Sequence, residues 1–437
     1  MDHRQAADAT DVPSNQKAAA EQPGQVNEPT ASAPWLSVIG IGDDGLASVG
    51  DQARQLIGKA DVVIGGQRHL EMIPDFRGKR LAWRCPLKST LQDIEEHRDK
   101  NVVVLASGDP LWFGVGALLA KTFRTEEMQV LPHVSSFSLA CARLGWPLAE
   151  TETLSLHNRP TSTLRRYLAP EAKLVLLTRD GETAHIVAAM LVEWGFGPSR
   201  ITVFEHLGGE QERRIDATAD TWPPNDIAPL NTIAIHCLAG PPAGPAPLLY
   251  SSAPGLPDDA FESDGMLTKR EVRAATLARL MPLPGQCLWD IGAGSGAVAI
   301  EWLRSLKRGK AVAIERDERR AFRAEGNAEW LGVPDLLIVR GEAPGCLDDQ
   351  LPHPDAIFIA GGITTPDMLE RCWAALDVGG RLVANVVTLD GERKLLDWQA
   401  EHGGDLVRIQ ISRNEKIGPY QGWRPAMPVT QYAAVKS

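Results

Sequence analysis

An apolar strand that passes through an acid into three alternating glycines and then a helix admits few folds. This chain carries one at Gln286-Cys-Leu-Trp-Asp-Ile-Gly-Ala-Gly-Ser-Gly-Ala-Val-Ala-Ile300. Gly292, Gly294 and Gly296 can take positive φ and leave no Cβ in the way. The first turn of the following helix offers N–H groups without intrahelical partners, so a ligand can meet bare backbone there. Nucleotide-like ligands bind such strand-end turns. Gly292–Ala297 also satisfies the loose dinucleotide fingerprint. Two flanking features favour S-adenosylmethionine. Asp290 sits two residues before the first glycine, placed for the cationic amino acid end of that ligand. A second strand, Lys310–Arg316, carries Glu315 near its end, placed for ribose hydroxyls. A bare structural turn is the remaining reading, and the stability that three spaced glycines forfeit weighs against it.

The chain, at 437 residues, is too long for one ordinary core and predicts two or three domains. Four prolines and two glycines between Ala239 and Pro247 deny both helix and strand and mark a boundary. The expected division is a disordered tail over 1–33, a first domain over 34–238, a linker over 239–254 and a second domain over 255–437. The tail has no aromatic residue and no apolar core of the signal-peptide kind, and no stretch approaches the ~20 apolar residues of a membrane span. A cytoplasmic protein without a membrane partner is expected. A formal charge of −11 argues against nucleic acid. Six scattered cysteines with no Cys-x-x-Cys pair read as reduced, buried thiols, and no metal-ligand cluster stands out.

The first half opens on a strand from Trp35 into the turn Gly40-Ile-Gly-Asp-Asp-Gly45. A helix over Gln52–Lys59 and a strand over Ala60–Gly65 follow, the alternation of parallel βαβ units. The run Asn101–Pro110 repeats the design and ends in Ser107, Gly108, Asp109 and Pro110. Ser135 and Ser136 precede a helix through Leu144, where capping and ligand contact are equally open. Further strands are expected at Lys173–Thr178, Arg200–Phe204 and Asn231–His236, with a helix over Ala184–Trp194. His206 reads as structural, since a lone histidine needs a placed partner to move protons.

The Gly40 turn, Gly108-Asp-Pro110 with Gly114, and Val134-Ser-Ser136 with Leu144-Gly-Trp-Pro147 resemble the tetrapyrrole methylase family, although Asp43-Asp44 stand where that family carries a proline. The resemblance implies two α/β subdomains with S-adenosylmethionine between them, held by Gly40, Gly42, Gly108, Asp109, Pro110, Ser135 and Ser136. Ser155-Leu-His157-Asn-Arg159-Pro160 is similar to the subgroup that methylates precorrin at carbon 5, which implies substrate contacts by His157 and Arg159. Gly255–Arg273, placed ahead of the Asp290 turn, resembles precorrin methyltransferases that act at carbon 15. The strand order beyond it resembles a class I, Rossmann-like methyltransferase. That likeness implies donor contacts by Thr268, Asp290, Gly292, Ala293, Gly294, Ser295, Gly296, Glu315, Glu342 and Ala343, with Ala360-Gly361-Gly362 opening toward substrate.

Taken together the resemblances imply an α/β protein of two unrelated methyltransferase folds, with one S-adenosylmethionine per domain. They also imply methylation of a precorrin at carbons 5 and 15 with decarboxylation, and a homo-oligomer, dimer or tetramer. A cobalt-containing substrate stays open beside the metal-free one, and no catalytic side chain is assigned. Arg159, Arg165 and Arg166 in the first half and Lys269, Arg270 and Arg273 in the second are candidates to hold substrate carboxylates.

Overall fold

The computed structural model describes residues 34–240 and 249–437. The expected tail over 1–33 and the middle of the expected linker lie outside the described residues.

Five strands form the first sheet: β1 (Leu36–Ile41), β2 (Val62–Gly65), β3 (Lys79–Ala82), β4 (Val102–Ser107) and β5 (Met128–Leu131). They lie in the order β3-β2-β4-β1-β5 and every pairing is parallel. β1, β2 and all but the last residue of β4 are buried, as expected of central parallel strands made of unbroken apolar runs.

The second sheet is mixed. β6 (Glu152–Ser155), β7 (Lys173–Leu177), β8 (Arg200–Glu205), β9 (Arg213–Thr218) and β10 (Asn231–His236) lie in the order β6-β7-β10-β8-β9, and only β6 and β7 are parallel. Helix Ser136–Leu144 bridges the two sheets, and its face Phe137, Ala140 and Cys141 packs with Val175, Phe204 and Ala234. The first half is therefore one cleft between two α/β layers.

The second half is a seven-stranded sheet with β11 (Cys287–Ile291), β12 (Lys310–Glu315), β13 (Leu337–Arg340), β14 (Ala356–Ile359), β15 (Arg381–Val386), β16 (Asp405–Ile409) and, after the exposed hairpin β17 (Ser412–Ile417) and β18 (Tyr420–Pro425), β19 (Val429–Val435). Its order is β13-β12-β11-β14-β15-β19-β16, parallel up to β15 and antiparallel where β19 inserts. β11 and β14 are neighbours although not consecutive, so the crevice at the order reversal opens beyond the C-terminal ends of these strands.

The halves meet through the turn Thr161–Tyr167 and the end of helix Glu318–Trp330. Arg165 is buried there, with its guanidinium 4.3 Å from the Trp330 ring, 4.7 Å from Trp194 and 5.4 Å from Tyr250. Arg166 donates to the Leu306 carbonyl across the same seam. At Gly332, with φ +79°, a Cβ would stand 2.8 Å from the Arg166 nitrogen. Cys141, Cys237, Cys287 and Cys372 are buried as expected, and burial pushes the Cys237 and Cys372 thiols up to about 12. Cys85 departs from that expectation and is exposed.

Candidate functional sites

In the first half the parallel register sets Gly40 beside Ala106 and Ile41 beside Ser107, so the turns after β1 and β4 leave the sheet together. They are packed backbone on backbone, since a Cβ on Gly40 would stand 2.0 Å from the Gly108 oxygen and 2.6 Å from the His133 nitrogen. Beyond them a cavity of about 510 Å³ lies between the two sheets. Gly42, Gly108, Asp109, Ser135, Ser136 and His157 line it. Gly40 and Pro110 support the wall from behind, and Arg159 is exposed outside the lining. Ser135 caps helix Ser136–Leu144, accepting the Ser138 N–H at 3.2 Å, and still faces the cavity.

Asp43 explains the missing proline. One oxygen pairs with Arg68 at 2.6 Å and the other with His206 at 3.1 Å, which ties the first sheet's turn to the loop after β8. His206, read from the sequence as a lone histidine, therefore has a carboxylate partner. Arg68 also reaches Ser107 at 3.1 Å, and His69 lies 3.0 Å from the same hydroxyl. Burial, and then the Arg68 charge, hold His69 down at about 4, so it is neutral at physiological pH. Ser107, named from the sequence at the end of its strand, lines the cavity, as do Arg68, His69, Trp112, Phe113 and Asn231, which were not singled out. The signal available was their position just after β2, β4 and at the start of β10.

In the second half the three glycines stand at φ +71°, +58° and +75°. A Cβ at 292 would lie 3.1 Å from the Gly361 nitrogen and one at 296 would lie 3.1 Å from the Ala324 Cβ. At 294 it would meet only the Met266 oxygen, at 3.4 Å. The chain must therefore be bare at 292 and 296 to close the crevice walls, whereas at 294 the positive φ is what favours glycine, with open space beyond it. Glu315 accepts the Gly294 N–H at 2.8 Å and the Asp317 N–H at 2.9 Å. Asp290 is buried beneath the turn: one oxygen accepts the Ala299 N–H at 3.0 Å and the other has no protein partner. Burial raises its carboxyl to about 7, with the Glu315 charge a lesser cause.

Thr268 is half-buried, its carbonyl accepting from Arg273 at 2.5 Å, and Lys269 and Arg270 are exposed at the start of helix Arg270–Leu280. Ala343 is buried, whereas Glu342 is exposed and pairs with Arg316 at 3.1 Å. Asn327, missed in the sequence, donates to the Ser295 and Glu262 carbonyls at 3.0 and 2.9 Å and so fastens the turn to the segment over it.

Three arginines proposed for substrate carboxylates are structural instead. Arg273 is fully buried, bonded to Glu301 at 2.6 Å and Asp258 at 3.2 Å, and Glu301 also takes the Gly255 and Leu256 N–H groups. That cluster pins the Gly255–Arg273 segment. Arg165 and Arg166 are consumed by the seam between halves.

A cleft between two α/β layers, joined to a seven-stranded sheet with its own glycine crevice, defines a methyltransferase assembled from two dissimilar folds. Residues 36–222 match the family described as tetrapyrrole (corrin/porphyrin) methylases, and residues 259–436 match the precorrin methyltransferase domain. The chain is 47% identical over 411 residues to a precorrin-6Y C(5,15)-methyltransferase [decarboxylating] of Sinorhizobium sp, covering 94% of this chain and 98% of that one. It belongs to the precorrin-6Y C(5,15)-methyltransferase (decarboxylating) family. Two relatives match about half of it. A cobalt-precorrin-7 C(5)-methyltransferase of Salmonella typhimurium is 34% identical over 41% of this chain and 88% of its own. A probable cobalt-precorrin-6B C(15)-methyltransferase (decarboxylating) of Pyrobaculum calidifontis is 33% identical over 42% of this chain and 97% of its own.

Proposed function

We propose that this chain methylates precorrin-6Y at carbons 5 and 15 and removes the carboxyl of the ring C acetate, giving precorrin-8X in cobalamin biosynthesis, with one S-adenosylmethionine bound by each half. The observation that carries the reading is the presence, in one chain, of two bare-backbone cradles on unrelated folds. The relatives that match nearly end to end are named for precorrin-6Y with no mention of cobalt, whereas the cobalt names belong to relatives that match about half of this chain. The metal-free substrate is therefore favoured.

The bound donor supplies an electrophilic methyl on a sulfonium, and the nucleophile is an electron-rich bridge carbon of the macrocycle. The protein's part is to align the two, exclude water and fit the charges, and such positioning can supply roughly 7–11 kcal/mol of a barrier. In the first half Gly42, Gly108, Asp109, Ser135 and Ser136 are the donor edge. In the second, the Gly292–Gly296 turn, Thr268, Ala343 and the Glu315 carboxylate would take that role, with Glu315 placed to accept from ribose hydroxyls. Asp290 fits a cationic donor through its unpartnered oxygen, since a positive group beside it favours its ionised form. Carbon 15 methylation and decarboxylation fall to the second half. The departing carboxylate is expected to face a weakly polar wall, because a desolvated carboxylate free of strong ion pairs is the less stable one.

Incubation of the full chain with precorrin-6Y and S-adenosylmethionine, followed by mass analysis, tests this. The expected product gains two methyl groups and loses CO₂. A product with neither change overturns the reading. A dimer or tetramer is expected in solution, in the cytoplasm.

A further inference from the structure

Between Asp109 and Gly114 the chain crosses the mouth of the first cavity and leaves Leu111, Trp112 and Phe113 50%, 54% and 47% exposed. Three adjacent large apolar side chains in water call for an occupant. The turn is rigid. Asp109 Oδ1 accepts the Leu111 N–H at 2.9 Å. Gly114 and Gly116 lie so close to Pro110 that an added Cβ would stand 2.5 and 2.7 Å from its oxygen. Phe113 is held at φ +58°, which costs a bulky residue on the order of 1 kcal/mol or more. That conformation sets the Phe113 ring 5.7 Å from buried Phe137, with the Trp112 ring edge-on to it at 6.0 Å and 85°.

Trp112, Phe113 and the exposed Val134 give the cavity an apolar side, and Arg179, Leu207 and Pro229 line it from the second sheet. The Arg179 guanidinium is 70% exposed and bonds its neighbour Asp180 at 3.0 Å. An apolar ledge with a solvated cation in the same cavity suits a flat conjugated ring with a carboxylate rim. It suits the donor less well, whose polar ends the glycine and serine edge serves.

We infer that Trp112 is the face on which the macrocycle stacks for methylation in the first half, and that Arg179 holds one of its peripheral carboxylates; this rests on the precorrin reading above. The strained turn orders the indole before substrate arrives, so that ordering is not lost from the binding energy. The test uses the full chain with precorrin-6Y and S-adenosylmethionine. Trp112→Ala is expected to raise KM for carbon 5 methylation about ten-fold with little change in kcat, in keeping with an aromatic stacking contact. Trp112→Phe should restore most of the loss, and Arg179→Gln should raise KM by a smaller factor. S-adenosylhomocysteine affinity, carbon 15 methylation and CO₂ release should be unmoved. An unchanged carbon 5 KM in Trp112→Ala overturns the inference. A parallel loss of S-adenosylhomocysteine affinity also overturns it and assigns the turn to the donor. Failure of the wild-type chain to methylate carbon 5 would instead sink the precorrin reading, and the inference with it.

Discussion

Asp290 is a carboxyl group placed where water does not reach, with a folded-state value of about 7 against an ordinary 3.8. Below the ordinary value both folded and unfolded chains hold the proton, and stability is complete. As pH rises the unfolded chain ionises first, and stability is lost up to the folded value, by at most on the order of 4 kcal/mol. Asp290→Asn keeps an oxygen for the Ala299 N–H and cannot ionise. It should therefore flatten the pH dependence of second-half unfolding between about pH 4 and about pH 7 and stabilise that half at the upper end. Urea unfolding at the two pH values checks this, and an unaltered slope would show a solvated carboxylate. The sequence located Asp290 and Glu315 correctly at their strand ends, but not which way they face: Asp290 turns to Ala299 and Glu315 to Gly294. Nor could it separate free arginines from buried ones. The partners of Arg273 and Arg165, Glu301 and Trp330, are distant in sequence and become neighbours only on folding.

The two glycine turns differ in what their bareness serves, and substitutions should separate the cases. Gly40→Ala drives a Cβ into the Gly108 and His133 backbones, neither of which can yield as a flexible side chain would. It is expected to destabilise the first half by several kcal/mol, as overpacking at a backbone contact does, and to abolish its donor binding. Gly294→Ala meets only one carbonyl at 3.4 Å but carries φ +58°, so the fold should survive at a cost of about 1 kcal/mol. Calorimetric titration of that variant with S-adenosylhomocysteine should fall from two sites per chain to one; two retained sites would remove the turn from donor binding. Central strands were legible because they are unbroken apolar runs, as in Val102–Leu105 or Ile357–Ile359. β3, β5, β6, β9, β16, β17, β18 and β19 were missed: the first five are edge strands, β17 and β18 form an exposed hairpin, and residues such as Lys79, Arg213 and Glu415 hide the two-residue period.

At the scale of the molecule, the seam turns on Arg165, a buried cation among rings contributed by the first half, the end of the linker and the second half. Arg165→Ala removes those contacts, worth about 2 kcal/mol in a desolvated setting. The halves are expected to unfold further apart in a calorimetric scan and to be cut faster by protease near residues 239–254, with each half's donor affinity intact. Unchanged cutting would show that the seam is held elsewhere. The boundary was legible as a Pro/Gly run; the seam was not, because it is built from side chains on both sides of that run. Helix Glu318–Trp330 spans it with a definite geometry. Its Ala324 and Asn327 pack on the second glycine turn, at Gly296 and Ser295, and its last residue, Trp330, lies against Arg165. The two clefts are built on separate sheets, and a ring released from one is expected to cross open water to reach the other. Two chains, each crippled in a different half, should then complete the reaction when mixed. Fusion on these terms secures no private passage for an unstable intermediate. It fixes the dosage, one catalyst of each kind made whenever the other is.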